Sequence, residues 1–423
     1  MLGRLLLLVI ALVLAAAVFL VGRYAIDKAT RRDTSDRPPP WRDLNVLSLA
    51  AQVVALGLIV TVGAWLWSNF RDRTDAIGLE LTFDFLDQPS GISIADNPLS
   101  SDAGIRDALQ QGVKNTFLII LLGIPLSVLF GTLIGIARLS TNWLLRKLAT
   151  AYVEFFRNIP PLLVIVFLWG AVFLNFPIGA SPTAEAAWRP LGGWCIFSNS
   201  RFAFPSIIGL DNFGLYQLLI AASVVASVGV WVWRTRVFNN TGVPHRRALW
   251  SLATLVVLGA AFFFALGGPF EFSKTTVEDR VWSGGFRMQM PYAAVMSALV
   301  IYTASHISEI VRGSILAVHR GQVEASHALA LNGLQRYRFV VLPQAFRIAF
   351  PPLINQFLNY TKNSSLAVAI GFAELTSITN NLFGNSQPAP QLTLILMAVY
   401  LFFSLVLSAM GNLVNRRLQL KGA

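Results

Sequence analysis

Charge is scarce in this sequence. Asp, Glu, Lys and Arg make up 13% of the 423 residues, where a soluble domain carries about 25%. That shortage excludes an ordinary water-soluble domain. With 55% hydrophobic residues and a mean hydropathy of +0.61, the composition is that of a polytopic membrane protein. Cysteine is nearly missing, and Cys195 alone excludes an intrachain disulfide. His245, His306, His319 and His327 are too scattered to hold a metal, so no metal site is expected. No Gly-Lys dipeptide occurs, which excludes a phosphate-binding P-loop. No nucleophile stands beside a base either, so no catalytic residue and no cofactor are expected. If ATP drives this protein, another chain must supply the ATPase. A basic run interleaved with aromatics is also missing, which argues against nucleic acid as a partner. The formal charge of +12 then belongs to cytoplasmic loops and to the anionic lipid they face.

What is present is a series of apolar runs, each long enough for about 20 residues of membrane-spanning helix. They lie near residues 5–22, 46–67, 115–137, 158–176, 213–233, 249–266, 291–310, 348–370 and 392–413. The runs are continuous rather than alternating, so spanning strands are not expected. The reading is an all-α polytopic membrane protein with eight or nine transmembrane helices. Loop charges set the orientation. Lys and Arg number six in residues 23–45, three in 138–147, four in 234–248, four in 316–347 and three after Asn415. Residues 71–112 instead carry three basic and eight acidic residues, and 371–390 carry no Lys or Arg. By the positive-inside rule the basic loops and the carboxyl terminus are cytoplasmic, and the acidic loop and 371–390 are external. The first run could be a signal peptide. The preferred reading is an uncleaved helix with an external amino terminus, followed by the Pro-rich cytoplasmic linker RRDTSDRPPPWRD.

One cytoplasmic loop stands out. EASHALALNGLQRYRFVVLP, residues 324–343, is too short and too polar to cross a membrane. A helical reading puts Val323, Ala330 and Leu331 on one side and Glu324 and His327 on another. Asn332-Gly333 should end that helix. LQRYRFVV should form a second short one before Leu342-Pro343 opens the next span, since Pro is tolerated in a first turn. Two such helices make a knob that another protein could grip. An amphipathic helix resting on headgroups is the alternative.

This stretch resembles the signature loop of ABC-importer permeases: E-A-A, three residues, G, nine residues, I, one residue, L-P. Glu324, Ala325 and Ser326 stand at the first three positions, Val340 at the Ile, and Leu342 and Pro343 at the end. Ser326 replaces an Ala, and Ala330 holds the usual Gly position, so Gly333 is expected to supply the flexible turn. SEIVRGSILAVHRGQVEASHALAL, VEFFRNIPPLL and NYTKNSSLAVAIG likewise resemble the polar amino-acid importer permeases of bacteria, above all the general L-amino-acid branch. The likeness runs from about Asp43 to the carboxyl end.

The resemblance implies a five-helix core made of the third, fourth, seventh, eighth and ninth runs, with the fifth and sixth inserted. It makes the loop a coupling helix anchored on an ATPase by Glu324. It also implies a second, unlike permease, two ATPase subunits carrying ATP and Mg, an extracytoplasmic binding protein on the outer loops, and the bacterial inner membrane as location. The chain divides accordingly into residues 1–45 (first run and linker), 46–112 (peripheral span and acidic loop), 113–415 (permease domain) and 416–423 (tail). Inserted spans at about 205–270 and the coupling loop 321–343 lie within the third of these.

An amino-acid zwitterion needs a cation or amide for its carboxylate, so ionisable residues within spans are candidates. Glu154, Arg157 and Asn158 open the fourth span, where Glu154 and Arg157 could instead be an intrahelical ion pair. Lys362, Asn363, Ser364 and Ser365 interrupt the eighth, facing a cavity or joining helices by hydrogen bonds. Glu309 and Arg312 read as a structural pair leading into the loop. Gly131 and Gly135 in FGTLIG read as a helix-packing motif. Trp41, Trp65, Trp67 and Trp233 are expected near interfaces. A transporter driven by an ion gradient is the rival, with Glu154, Lys362 and Glu309 as ion or proton sites.

Overall fold

The structure, a computed structural model, describes residues 22, 44–76, 78, 82–92, 102–178, 188–242, 246–278, 281–385 and 387–418. Residues 5–21 of the first run, its linker, Trp41 and His245 lie outside the described residues. Two units divide the chain, Met1–Asp84 and Phe85–Ala423. In the first, α1 (Leu44–Ala76) carries the second run and displays Leu56, Ile59, Trp65 and Trp67 on its surface. Among the described residues six helices are long and apolar enough to cross a membrane, or eight if each of two bent pairs is one span. These eight coincide with the second to ninth runs.

The second unit is organised around α2 (Ile105–Ala137) and α7 (Met290–Leu316), which pack along each other. Small residues allow the approach. A Cβ on Gly131 would lie 2.6 Å from Ile307 Cγ2, and one on Gly135 would lie 2.8 Å from the Ser308 carbonyl oxygen. Four-residue spacing puts both glycines on the face that meets α7, as the packing motif requires. Gly123 gives the hydroxyl end of buried Tyr360 its room in the same way.

Between these helices the chain turns sharply. Asn142 caps α3 (Trp143–Arg157) by accepting from the Leu144 and Leu145 amides at 3.0 and 3.2 Å. Pro160 and Pro161 cannot continue that helix, and α4 (Pro161–Phe167), extended by tighter and wider turns to Asn175, leaves at 105°. Ala149 and Val153 of α3 are buried, while Trp143, Leu144, Leu148 and Phe155 are exposed. The Tyr152 hydroxyl donates to the Ile301 carbonyl at 2.5 Å, fastening α3 to α7.

The fifth and sixth runs form α5 (Phe213–Thr241) and α6 (Arg247–Ala265). They pack on one another, with Ser227 and Ser251 sharing hydrogen bonds of 2.7–2.9 Å. Short strands border this hairpin, outside the spans. β1 (Ile196–Phe197), β2 (Arg201–Phe204) and β7 (Phe286–Gln289) make one antiparallel sheet in the order β1-β2-β7. β3 (Ser206–Gly209) pairs with β4 (Phe270–Ser273), placing Gly209 opposite Phe270. β5 (Thr276–Glu278) pairs with β6 (Val281–Ser283). Strands of two to four residues are too short for a period-2 signal, which is why the sequence reading misses them.

After α7 come α8 (Arg320–Ala328), α9 (Gly333–Arg336), α10 (Leu342–Asn363), α11 (Leu375–Gly384) and α12 (Ala389–Leu418). Two loop expectations need correction. Residues 71–112 are largely helical at both ends, since α1 runs to Ala76 and α2 begins at Ile105. Residues 371–390 are not a plain outer loop, because α11 lies within them. Leu375, Ile378 and Leu382 are fully buried with Ile105, Ala108 and Leu109 of α2.

Candidate functional site

The signature loop folds as a helix, a left-handed turn and a second helix. The His319 ring accepts from the Gly321 amide at 3.1 Å and caps α8. Ser326 is buried, with its hydroxyl donating to the Val323 carbonyl at 2.6 Å. Val323 packs against a small core of Val318, Val341 and Ala345. The opposite face is exposed and carries Glu324, Ala325, His327 and Ala328.

The helix ends earlier than its sequence suggests. Leu331 N–H donates to the Ser326 carbonyl at 3.1 Å and Ala330 N–H to the His327 carbonyl at 2.9 Å, the paired bonds of a Schellman cap. That cap puts Ala330 at φ +54°, a left-handed conformation that suits glycine. Ala330 therefore makes the turn at the position where the family pattern has Gly. Gly333 does not supply it: Gly333 has no positive φ and opens α9. Ala330 and Leu331 also leave the helical face assigned to them with Val323. Asn332 and Gln335 cap α9 reciprocally, at 2.9 and 3.0 Å. The Arg336 guanidinium meets the His327 ring across the turn.

The second helix is also not separate. α9 passes through a wide turn, Tyr337–Val341, directly into α10, with Leu342 and Pro343 in its first turn. Val341 and Leu342 keep right-handed helical backbone, and the Leu342 amide bonds the Tyr337 carbonyl, so the helix runs on through Pro343.

The polar candidates separate. Glu154 is exposed and makes no ion pair with Arg157. Asn158 is exposed at the bend and donates to the Glu154 carbonyl at 2.6 Å. Arg157 instead faces Glu309 at 3.8 Å. Glu309 and Arg312 do pair, at 2.5 Å, and Arg138 binds the same carboxylate. Tertiary packing of α3 across α7 therefore replaces the expected Glu154–Arg157 pair with a cluster around Glu309. Arg138 carries no signal of this role in the sequence, where it is one more basic loop residue.

At the other end of α10 the chain tightens from Asn363 into a 3-10 stretch, Ser364–Ile370. Ser364 donates to the Thr361 carbonyl and Ser365 to the Lys362 carbonyl, both at 2.7 Å, so each hydroxyl bonds one turn back in its own segment. Lys362 is exposed and Asn363 half-buried. Glu374 is a polar residue the sequence reading passes over. Fully buried, it caps α11 by accepting from the Thr376 and Ser377 amides at 2.9 and 2.8 Å, and it accepts from the Tyr400 hydroxyl at 2.9 Å. Glu is not among the usual capping residues, so the sequence carries no cap signal here.

Residues 247–420 match the family described as binding-protein-dependent transport system inner membrane component. The chain is 35% identical over 375 residues to the general L-amino acid transport system permease protein AapQ of Rhizobium johnstonii, covering 88% of this chain and 92% of that protein. It is 33% identical over 411 residues to the glutamate/glutamine/aspartate/asparagine transport system permease protein BztB of Rhodobacter capsulatus, covering 90% and 95%. A solved amino acid ABC transporter with histidines is similar at 19% identity with a TM-score of 0.43, over 74% of this chain and 94% of that one.

Proposed function

Because this chain belongs to the permease family of amino-acid ABC transporters, we propose that it forms, with a second and unlike permease, the amino-acid pathway of an importer driven by separate ATPase subunits through residues 321–343. The observation that carries this reading is the exposed knob around α8. Leu329 and Leu334 are 74% and 78% exposed beside the exposed Glu324. A groove on a protein accepts an apolar tip flanked by charges of both signs, here Glu324 with the exposed Arg320 and Arg338. Glu324 and Ala325 make the contact, Ser326 holds the helix from behind, and Ala330 turns the chain.

The loop works as a lever because its far side is continuous with a span. A push on α8 passes through the turn and the His327–Arg336 contact into α9. It then travels along α10 to Lys362, Asn363, Ser364 and Ser365. These residues, with Glu154, Arg157 and Asn158, line the amino-acid route, and Lys362 offers a cation to a substrate carboxylate. ATP and Mg bind the partner ATPases. An extracytoplasmic binding protein meets the outer loops, while the loop around α8 and the carboxyl terminus face the cytoplasm of a bacterial cell. The division into residues 1–45, 46–112, 113–415 and 416–423 then separates a peripheral part from the permease proper.

Charge reversal tests the contact. Glu324→Lys is expected to insert normally and to lose at least about ninety per cent of ATP-dependent uptake, since unpairing a contact charge costs about 2–5 kcal/mol. Glu324→Cys should crosslink to the co-expressed ATPase. Full uptake by Glu324→Lys, or no crosslink in an assembled complex, rejects the coupling role. Uptake that fails with the ion gradient while ATP persists would favour a secondary transporter.

A further inference from the structure

Three guanidinium groups face one carboxylate where α2, α3 and α7 meet. Among the described residues the ion pairs of Arg138, Arg157 and Arg312 all run to Glu309. Two positive charges are left unmatched. The nearest acid along α3, Glu154, is exposed and joins none of them.

The three arginines are not held equally. The Arg138 side chain is only 8% exposed, and its Nε is buried without a hydrogen-bond partner, as is the hydroxyl of Ser308 beside Glu309. Arg312 grips Glu309 with Nη2 at 2.5 Å and Nε at 3.4 Å. Arg157 stands 3.8 Å away, beyond hydrogen-bond range, and is 39% exposed. A buried, underused guanidinium thus forms the back of the cluster and a loosely held one forms its mouth. Each guanidinium offers five N–H donors in a planar fork, matched to carboxylate and phosphate oxygens. A donor held out of water without a partner is costly, as Arg138 Nε is, so a second anion would stabilise the cluster.

We propose that Arg138, Arg157 and Arg312 form a binding site for an oxyanion, a carboxylate or phosphate group, which draws Arg157 away from Glu309. Two sources present that chemistry. One is the phosphate of an anionic phospholipid, reached through α3, whose exposed Trp143, Leu144, Leu148 and Phe155 suit a helix lying in a membrane interface. The other is the carboxylate of a free amino acid. The proposal does not depend on transport, because binding can be measured on this chain alone.

The test uses the full-length chain in phosphatidylcholine nanodiscs. One arm adds phosphatidylglycerol to the bilayer and the other adds sodium glutamate to the solution, each against sodium chloride at equal ionic strength. A ligand that binds only the folded state raises the unfolding midpoint saturably. Such a rise is expected in at least one arm. Phosphatidylglycerol alone identifies the lipid source and glutamate alone the free carboxylate. Arg157→Gln should weaken the apparent affinity about tenfold or more, the loss of a charge-assisted hydrogen bond. Arg157→Lys, which keeps the charge but not the fork, should fall between. Glu309→Gln removes the competing carboxylate and should strengthen binding, an effect that damage to the fold would not mimic. No saturable rise in either arm, or an equal rise in wild type and Arg157→Gln, overturns the site.

Discussion

The α2–α7 core and the α5–α6 hairpin are both built from long apolar helices, yet they use hydrophobicity differently. Within the chain 56% of the α7 span is buried, against 11% of α5 and 6% of α6. α7 is nonetheless the least hydropathic of the six uninterrupted spans. Eight of its thirteen buried positions are small or weakly polar (Ala293, Ala294, Ala298, Thr303, Ala304, Ser305, Ser308 and Ser314), among Met290, Val295, Leu299, Val300 and Ile307. α5 and α6 instead expose Leu218, Val225, Leu249 and Phe264. In lipid, burial brings no hydrophobic gain between helices, so the protein interior selects for close approach while the lipid face selects for apolar bulk. Small residues mark the close approach of α7, and exposed apolar bulk marks the hairpin.

The largest expected effect comes from filling a glycine in each region. Leucine at Gly131 collides with Ile307 and with the Ala304 carbonyl. Gly131→Leu should therefore cost about 3 kcal/mol or more, seen as a collapsed unfolding midpoint and loss of monodisperse protein in detergent. Gly229 in α5 has nothing within 4 Å of the added carbon. Gly229→Leu should change stability by less than about 0.5 kcal/mol. Equal losses at the two sites would end the distinction between core and hairpin.

Polar groups sharpen it next. Removing the Glu374 carboxylate unpairs two α11 amides and leaves the Tyr400 hydroxyl without its carboxylate acceptor. Glu374→Ala should cost about 2–4 kcal/mol, from lost capping and a buried Ser377 amide left without its acceptor, while the Tyr400 hydroxyl keeps the Thr376 hydroxyl at 3.2 Å. In the hairpin, Ser251→Ala removes one hydroxyl while Ser227 keeps its bond to the carbonyl at position 251, and hydrogen bonds between membrane helices average only about 0.6 kcal/mol. Thermal unfolding of both variants under one condition reads the difference.

Helix ends offer a smaller contrast of opposite sign. α5 closes on Gly242 at φ +70°, and α8 closes on Ala330 at φ +54°. A left-handed L-residue costs about 1–2 kcal/mol. Ala330→Gly should thus stabilise the loop by about 1 kcal/mol and slow its amide exchange, while Gly242→Ala should destabilise the hairpin by a similar amount. Faster exchange around α8 in Ala330→Gly would show that the Schellman turn does not govern this loop.

Much of this fold was legible from composition and periodicity. The runs near 46–67, 115–137, 213–233, 249–266, 291–310 and 392–413 became six uninterrupted spans, because long uncharged stretches have no other way to satisfy their backbone in lipid. The runs near 158–176 and 348–370 were located but not their bends, which depend on Pro160-Pro161 and on the buried cap Glu374. Gly131 and Gly135 announced a helix contact without naming Ile307 and Ser308 as its other side. The loop at Glu324 was visible as a motif. Its turn was misplaced because Asn-Gly is the stronger local signal, whereas the Schellman bonds at Ser326 and His327 set the break at Ala330. The Glu309 cluster was half visible, since Arg312 is three residues away in sequence and Arg138 and Arg157 arrive only through packing.

Excision is the most direct test of the hairpin as an insertion. β3 and β4 already pair, and the Leu210 amide donates to the Pro269 carbonyl at 2.9 Å, so the two ends of the segment between them are adjacent. Replacing residues 211–268 with Asn-Gly should close β3 and β4 into a two-residue hairpin, a loop that favours this dipeptide. Two spans leave together, so α7 keeps its sidedness. The excision removes the aromatic pairs of Phe270 with Phe213, Tyr216 and Phe263, worth about 0.5–1.5 kcal/mol each. The shortened chain should therefore insert, and its unfolding midpoint should lie within about 2–8 °C of the parent. A Glu324→Cys crosslink to the ATPase, if the parent forms it, should survive the excision, because α8 and α10 lie outside the removed segment. A chain that no longer inserts, or one that loses its folded core, would show that the hairpin supports α2 and α7 in the membrane rather than resting beside them.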